Sequence, residues 1–249
     1  MSGDKKIRNG IFAVAVVGLV VASVAGSAFS SNDGNKGPNF TINGHDSYDA
    51  NYNDDWDDSK LVSEDRTVAT FTKIKVLGAV KLDVTAGGDQ SMTVSSQTEY
   101  MERIKTWVEG DTLYIDNTDG KKRSNNNMKG RVKISMASFD AIYVEGAIAG
   151  RFNNINGGDV LVDVEGASDI RLSGTCENVT IKMAGASNIQ ADNLKCKTAD
   201  VRLEGVGNIE AYASEKVNAT LEGMGNIDVR GGATDVTKNK DGFGNIDVD

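Results

Sequence analysis

A single proline, Pro38, and a single histidine, His45, occur in the 249 residues, and cysteine is confined to Cys176 and Cys196. Each scarcity removes a class of protein. With one proline there is no proline-rich or collagen-like stalk, although glycine is plentiful at 28 residues. With one histidine, a Ser-His-Asp or Cys-His site would have to use His45, and a histidine-based metal centre has no second imidazole. His45 lies in a polar stretch and reads as a solvated linker residue. The two cysteines are far apart in sequence, so no Cys-x-x-Cys redox pair exists. Positive charge is also short: the net charge is −9. An acidic chain repels phosphate backbones, which sets nucleic-acid binding aside.

One long uncharged run is present, and it is N-terminal. Lys5, Lys6 and Arg8 precede a stretch from Ile11 to Ala28 that ends in Ala25, Gly26, Ser27 and Ala28. Residues 1–28 have the form of an export signal cut after Ala28, or of an uncleaved membrane anchor through residues 11–28. No cysteine stands near the cut, which excludes a lipoprotein anchor for this start. Residues 29–66 then read as an acidic, Asn/Asp-rich tether. Its Tyr48, Tyr52 and Trp56 recur every four residues, as one face docked on the main body would. Its Asp54, Asp55, Asp57 and Asp58 lack the glycine and spacing of a calcium loop and read as a solvated charge run.

From Val68 the pattern turns to alternation with a period of two, in "FTKIKVLGAVKLDVTAGG", "SMTVSS", "DTLYIDN" and "RVKISM". Between these, Tyr100, Met101, Ile104, Trp107 and Val108 stand at helical spacing and predict one short helix near 97–108. Residues 119–130 form a polar loop.

Glycines at comparable places fall at 146, 166, 185, 205, 223 and 242, in steps of 18–20 residues. Before each glycine stands a strand with alternating apolar residues, such as Val160, Val162 and Val164, or Val179, Ile181 and Met183. Four residues after the glycine stands isoleucine, at 170, 189, 209, 227 and 246. A unit of about 20 residues is too short for a βαβ repeat and lacks the leucine-rich frame. Stacked coils with parallel ladders fit it: an all-β parallel β-helix, with regular coils over about 142–249.

In this reading Gly166, Gly185, Gly205, Gly223 and Gly242 supply positive φ at a corner, and Asn188, Asn208, Asn226 and Asn245 form an amide ladder beside them that also tolerates a left-handed corner. Asp169 replaces asparagine once. A phosphate cradle would need a loop feeding a helix N-terminus, and these loops feed strands. Cys176 and Cys196 each lie nine residues before a column glycine and so stack in neighbouring coils, either as a disulfide or as free thiols. Glu145, Glu165, Glu204 and Glu222 all precede the glycine and form an outward acidic column.

The Gly-x-Gly-Asn-Ile corners, with the entry "FTKIKVLGAVKLDVTAGGDQSMTV…WVEGDTLYIDN", resemble the head GIN domain of bacterial auto-transporter adhesins. The similarity covers about Val68 to Asp249, and the domain is set at 67–249. It implies a right-handed, exported β-helix with an adhesin label and no catalytic residues. No series of membrane-type strands follows the repeat.

The expectation is therefore a non-enzymatic binding module of the bacterial envelope, at the surface or in the periplasm. It would use no cofactor or metal. Its partner would be a glycan, an envelope protein or a second copy, met by outward loops such as 119–130. The first alternative is a periplasmic scaffold or envelope-stress component held at the inner membrane by residues 11–28. The second is a carbohydrate-active enzyme, which rests on fold analogy alone.

Overall fold

The structure, a computed structural model, describes residues 60–118 and 130–249. The export signal or anchor, His45, Tyr48, Tyr52, Trp56, Asp54, Asp55, Asp57 and Asp58 of the tether, and residues 119–129 lie outside the described residues.

The described chain is all-β apart from one helical turn. In order it forms β1 (Leu61–Asp65), β2 (Lys73–Ala86), β3 (Ser91–Gln97), α1 (Thr98–Met101), β4 (Lys105–Glu109), β5 (Thr112–Asp116), β6 (Gly130–Met136), β7 (Ala141–Asn156), β8 (Asp159–Leu203), β9 (Val206–Leu221), β10 (Met224–Arg230), β11 (Asp235–Lys240) and β12 (Phe243–Val248). They make one open 12-stranded sheet in the order β1-β3-β6-β2-β7-β8-β9-β10-β12, with β11 on β9 and the β4–β5 pair on β2.

Pairing changes character along the chain. At the start, β1–β3, β3–β6 and β4–β5 are antiparallel. From β2 onward, β2–β7, β7–β8, β8–β9, β9–β10 and β10–β12 are all parallel. Fully extended, the 45 residues of β8 would span about 150 Å. Instead β8 turns over itself, placing Gly185 on Gly166.

Parallel register places like on like, which is why alternation produces a core. Ile74 pairs with Ile142 and then Val162, and Val76 with Val144 and then Val164. All six are essentially inaccessible, as are Ile181, Val201, Leu203, Ala219 and Leu221 further along. Each such aliphatic side chain contributes roughly 1.5–3 kcal/mol by leaving water. Where isoleucine is missing, at Gly150, the ring of Phe152 fills the space: a Cβ on Gly150 would press on Phe152 Cε2. Phe152 in turn packs against Phe139 at 5.1 Å between centroids.

Two expectations are corrected. The helix near 97–108 is one turn, α1, and Lys105–Glu109 is strand β4. Met101 and Ile104 reach the core from the turn. Trp107 stacks instead on Tyr114 across the β4–β5 pair, at 5.1 Å and 9° between planes. A tight turn at Gly110 (φ 62°) joins the two strands. In addition, the sheet reaches Leu61, inside the segment 29–66 read as tether. Arg66 ties that end down, donating to Ile104 O and to Thr106 Oγ1. At the other end, all six residues of β11 are exposed, and Lys238 and Lys240 stand in register with the buried Ala219 and Leu221. Their ammonium groups donate to Ile246 O and Gly244 O.

Candidate binding face

The glycine column orders the outer surface. Gly78 pairs with Gly146, and Gly146 with Gly166. Gly185, Gly205, Gly223 and Gly242 continue the stack, and a Cβ on any of the last six would overlap the backbone carbonyl of the glycine beneath. The reason for glycine differs along the column. Gly146, Gly166 and Gly185 have positive φ, whereas at the next three rungs positive φ moves to Gly207, Gly225 and Gly244. Gly205, Gly223 and Gly242 are thus required by close approach, not by a left-handed corner, which corrects the role read from sequence. Asn188, Asn208, Asn226 and Asn245 are also not left-handed, since Asn154 is the one positive-φ residue other than glycine among the described residues.

Those asparagines do stack. Asn188 pairs with Asn208, Asn208 with Asn226, and Asn226 with Asn245. Asn226 Nδ2 donates to Asn208 Oδ1 at 3.1 Å. The column begins differently, with Lys81, Ala149 and Asp169. Asp169 sits where an asparagine would extend the ladder. Burial holds its carboxyl above the ordinary range, against the pull of Arg171 and Arg151. Its Oδ1 has no hydrogen-bond donor among the described residues.

Two residues further along the same face runs a second column: Asp83, Arg151, Arg171, Gln190, Glu210, Asp228 and Asp247. Its two arginines are in direct register. A shallow groove of about 320 Å³ opens over them, lined by Arg151, Asn153, Arg171, Ser173, Gln190 and Asn193. Ser173 Oγ donates to Asn153 Oδ1 at 3.3 Å. Sequence reasoning missed this groove. Its signal was present, because Arg151 and Arg171 stand five residues after column glycines.

Three of the four carboxylates of the acidic column pair with neighbouring cations. Glu145 receives Lys75 Nζ at 2.6 Å. Arg202 bridges Glu204 and Glu222. Hydrogen bonding to Glu145 raises the Lys75 ammonium pKa above its usual value. On the remaining side, Asp159, Asn178 and Thr198 form a polar ladder of 2.6 and 2.7 Å hydrogen bonds. Cys176 and Cys196 are joined as a disulfide with Cα atoms 4.5 Å apart, one rung above the other. Both are buried. No group of three His, Cys, Asp or Glu able to hold a metal occurs among the described residues, and none of their helices is long and apolar enough to cross a membrane.

The described chain is thus an all-β protein whose parallel strands stack in register and carry polar columns on their outer faces. Residues 70–233 match the family described as "Putative auto-transporter adhesin, head GIN domain", and the chain belongs to that family. Among solved structures, the chain is similar to a "putative adhesin" from Bacteroides fragilis, with 22% identity and a TM-score of 0.62 over 76% of this chain and 97% of that one. It is also similar to a "putative lipid binding protein" from Parabacteroides distasonis, with 18% identity and a TM-score of 0.42 over 76% and 97%. A third is a "putative cell adhesion protein" from Clostridium sporogenes, with 16% identity and a TM-score of 0.40 over 76% and 99%. No curated protein matches the chain.

Proposed function

We propose that this chain is an exported, non-enzymatic binding module of the bacterial envelope. Its coils wind as a right-handed parallel β-helix, and its outer face meets a glycan or an envelope protein. The observation that carries the reading is the fixed register: seven rungs hold their outward side chains in a straight column from Asp83 to Asp247. A rigid array of that kind favours binding, because little side-chain and backbone freedom remains to be lost on contact. Membership of an adhesin-labelled family and the signal-like residues 1–28 point the same way.

The test is protease shaving of intact cells that carry a C-terminally tagged copy, with mass spectrometry of the N-terminus. Loss of the tag, with a mature start near Phe29, supports a surface module. A protected tag on a chain that still begins near Met1 overturns it in favour of an anchored periplasmic scaffold.

A further inference from the structure

We infer that the groove over Arg151 and Arg171 binds the carboxylate of an acidic sugar. The inference deepens the binding reading above and rests on it.

The groove spans three adjacent rungs: Arg151 with Asn153, Arg171 with Ser173, and Gln190 with Asn193. Rungs are about 4.8 Å apart and residues two apart on a strand about 7 Å. The floor therefore measures roughly 10 by 7 Å, the footprint of one or two hexose rings. Leu172 also lines the groove, whose polar chemistry is of two kinds. Two arginines in direct register line the groove on adjacent rungs, and a carboxylate is an anion that a guanidinium fork matches. Around them stand three amides and a hydroxyl, which both donate and accept, as a ring of sugar hydroxyls requires.

The charges along the column restrict the ligand further. Positive charge occupies two rungs. Asp83 lies one rung outside Arg151, and Glu210, Asp228 and Asp247 follow beyond Gln190. A polyanion laid along the stack would place its next charges over those carboxylates. A single acidic sugar avoids this, as does an acidic chain that crosses the stack along the strands. The protein's net charge of −9 repels anions elsewhere, so binding here must come from the local fork. Asp169 lies two residues before Arg171 and attracts both guanidiniums. Together with Asp83, in register with Arg151, it makes two like charges tolerable at one rung spacing.

The experiment is titration calorimetry on the mature full-length chain. The acidic probes are trigalacturonate, a hyaluronan hexasaccharide and sialyllactose; the neutral ones are maltotriose, chitotriose and lactose. At least one acidic probe is expected to bind and its neutral counterpart not to. Arg151→Gln and Arg171→Gln should each weaken that binding tenfold or more, and the double variant should abolish it. Arg202→Gln, on another face, should leave it unchanged. Circular dichroism confirms that each variant is folded. Binding retained by the folded double variant overturns the inference. So does a wild-type chain that binds none of the acidic probes. If that chain binds neutral glycans or an envelope protein instead, the envelope-binding reading survives alone; if it is also silent on a broad glycan array and against envelope extract, both fall.

Discussion

The side-chain amide of Asn117 lies along Ala79 as the edge of a further strand would. Its Oδ1 accepts from Ala79 N at 2.8 Å, and its Nδ2 donates to Ala79 O. A Cβ on the neighbouring Gly78 would overlap that amide. Asn117 therefore finishes the glycine column on the side where no further rung lies beneath Gly78. Asn117→Ala removes both bonds and strands a part-buried backbone pair, at a cost of about 1–3 kcal/mol. Asn117→Asp keeps the acceptor, loses the donor and sets a carboxylate against Ala79 O, so it should recover little. Urea denaturation of the two variants checks this. An alanine variant as stable as the parent would show that water replaces the amide without loss.

The glycines separate two physical requirements that usually occur together. Gly87 has φ +85°, and a methyl added there would meet nothing within 4 Å, so Gly87→Ala bears left-handed strain alone, of about 1–2 kcal/mol. Gly205 lacks positive φ, but its Cβ would overlap the Gly185 backbone, so Gly205→Ala must force two rungs apart. Gly158 has neither problem, and Gly158→Ala should be within about 0.5 kcal/mol of the parent. The expected order of destabilisation is 205, then 87, then 158, with the variant at 205 failing to give a cooperative melt. A reversal of 205 and 87 would mean that the rungs yield to an added methyl at lower cost than left-handed strain imposes.

The same contrast explains what could be read from sequence. Register turns recurrence in sequence into contact in space, so the glycine and asparagine columns are visible as steps of 18–20 residues. Their physical reasons are not, because close approach and positive φ select the same residue. The helix expected near 97–108 is too long because Met101 of α1, Ile104 in the turn after it, and Trp107 and Val108 of β4 together mimic helical spacing. The strand Leu61–Asp65 is hidden by its exposure: four of its five residues face solvent, so no alternation marks it. The arginine groove escapes notice for a different reason. A repeat is found by what recurs, and arginine occupies this column at two rungs only.

The Cys176–Cys196 bond links two residues 20 apart in sequence within β8. Chain-entropy arguments assign a closed loop of that length roughly 3 kcal/mol. Because both sulfurs are buried in the core, the Cys176→Ala/Cys196→Ala pair adds some loss of packing. Reduction of the wild type and the double variant should both lower the urea midpoint, the variant by slightly more. The far-UV spectrum should remain that of a β protein, since the rungs on either side keep their own hydrogen bonds. Collapse of the spectrum on reduction would show that this part of β8 is held by the bond and not by its register.

Asp169 interrupts a column that asparagine continues from Asn188 to Asn245. Burial raises its folded pKa above the unfolded value. The sign follows from linkage: the folded state binds this proton more tightly than the unfolded chain does. The cost of ionising it is absent below the unfolded carboxylate pKa and grows as pH rises to the raised folded value. Above that value the cost is complete, so at neutral pH Asp169 works against the fold. Asp169→Asn removes that cost and offers an amide to Asn188, a gain of about 0.5–1.5 kcal/mol. The variant should therefore be more stable than the parent at pH 7, with the difference shrinking as the pH is lowered through the carboxylate range. It also removes one carboxylate that attracts Arg151 and Arg171, so binding of the acidic sugar should tighten in parallel. Thermal melts from pH 4 to 8 measure the first effect, and calorimetry the second. A variant less stable at pH 7 than at pH 4, relative to the parent, would show that attraction to the two arginines outweighs burial at this rung.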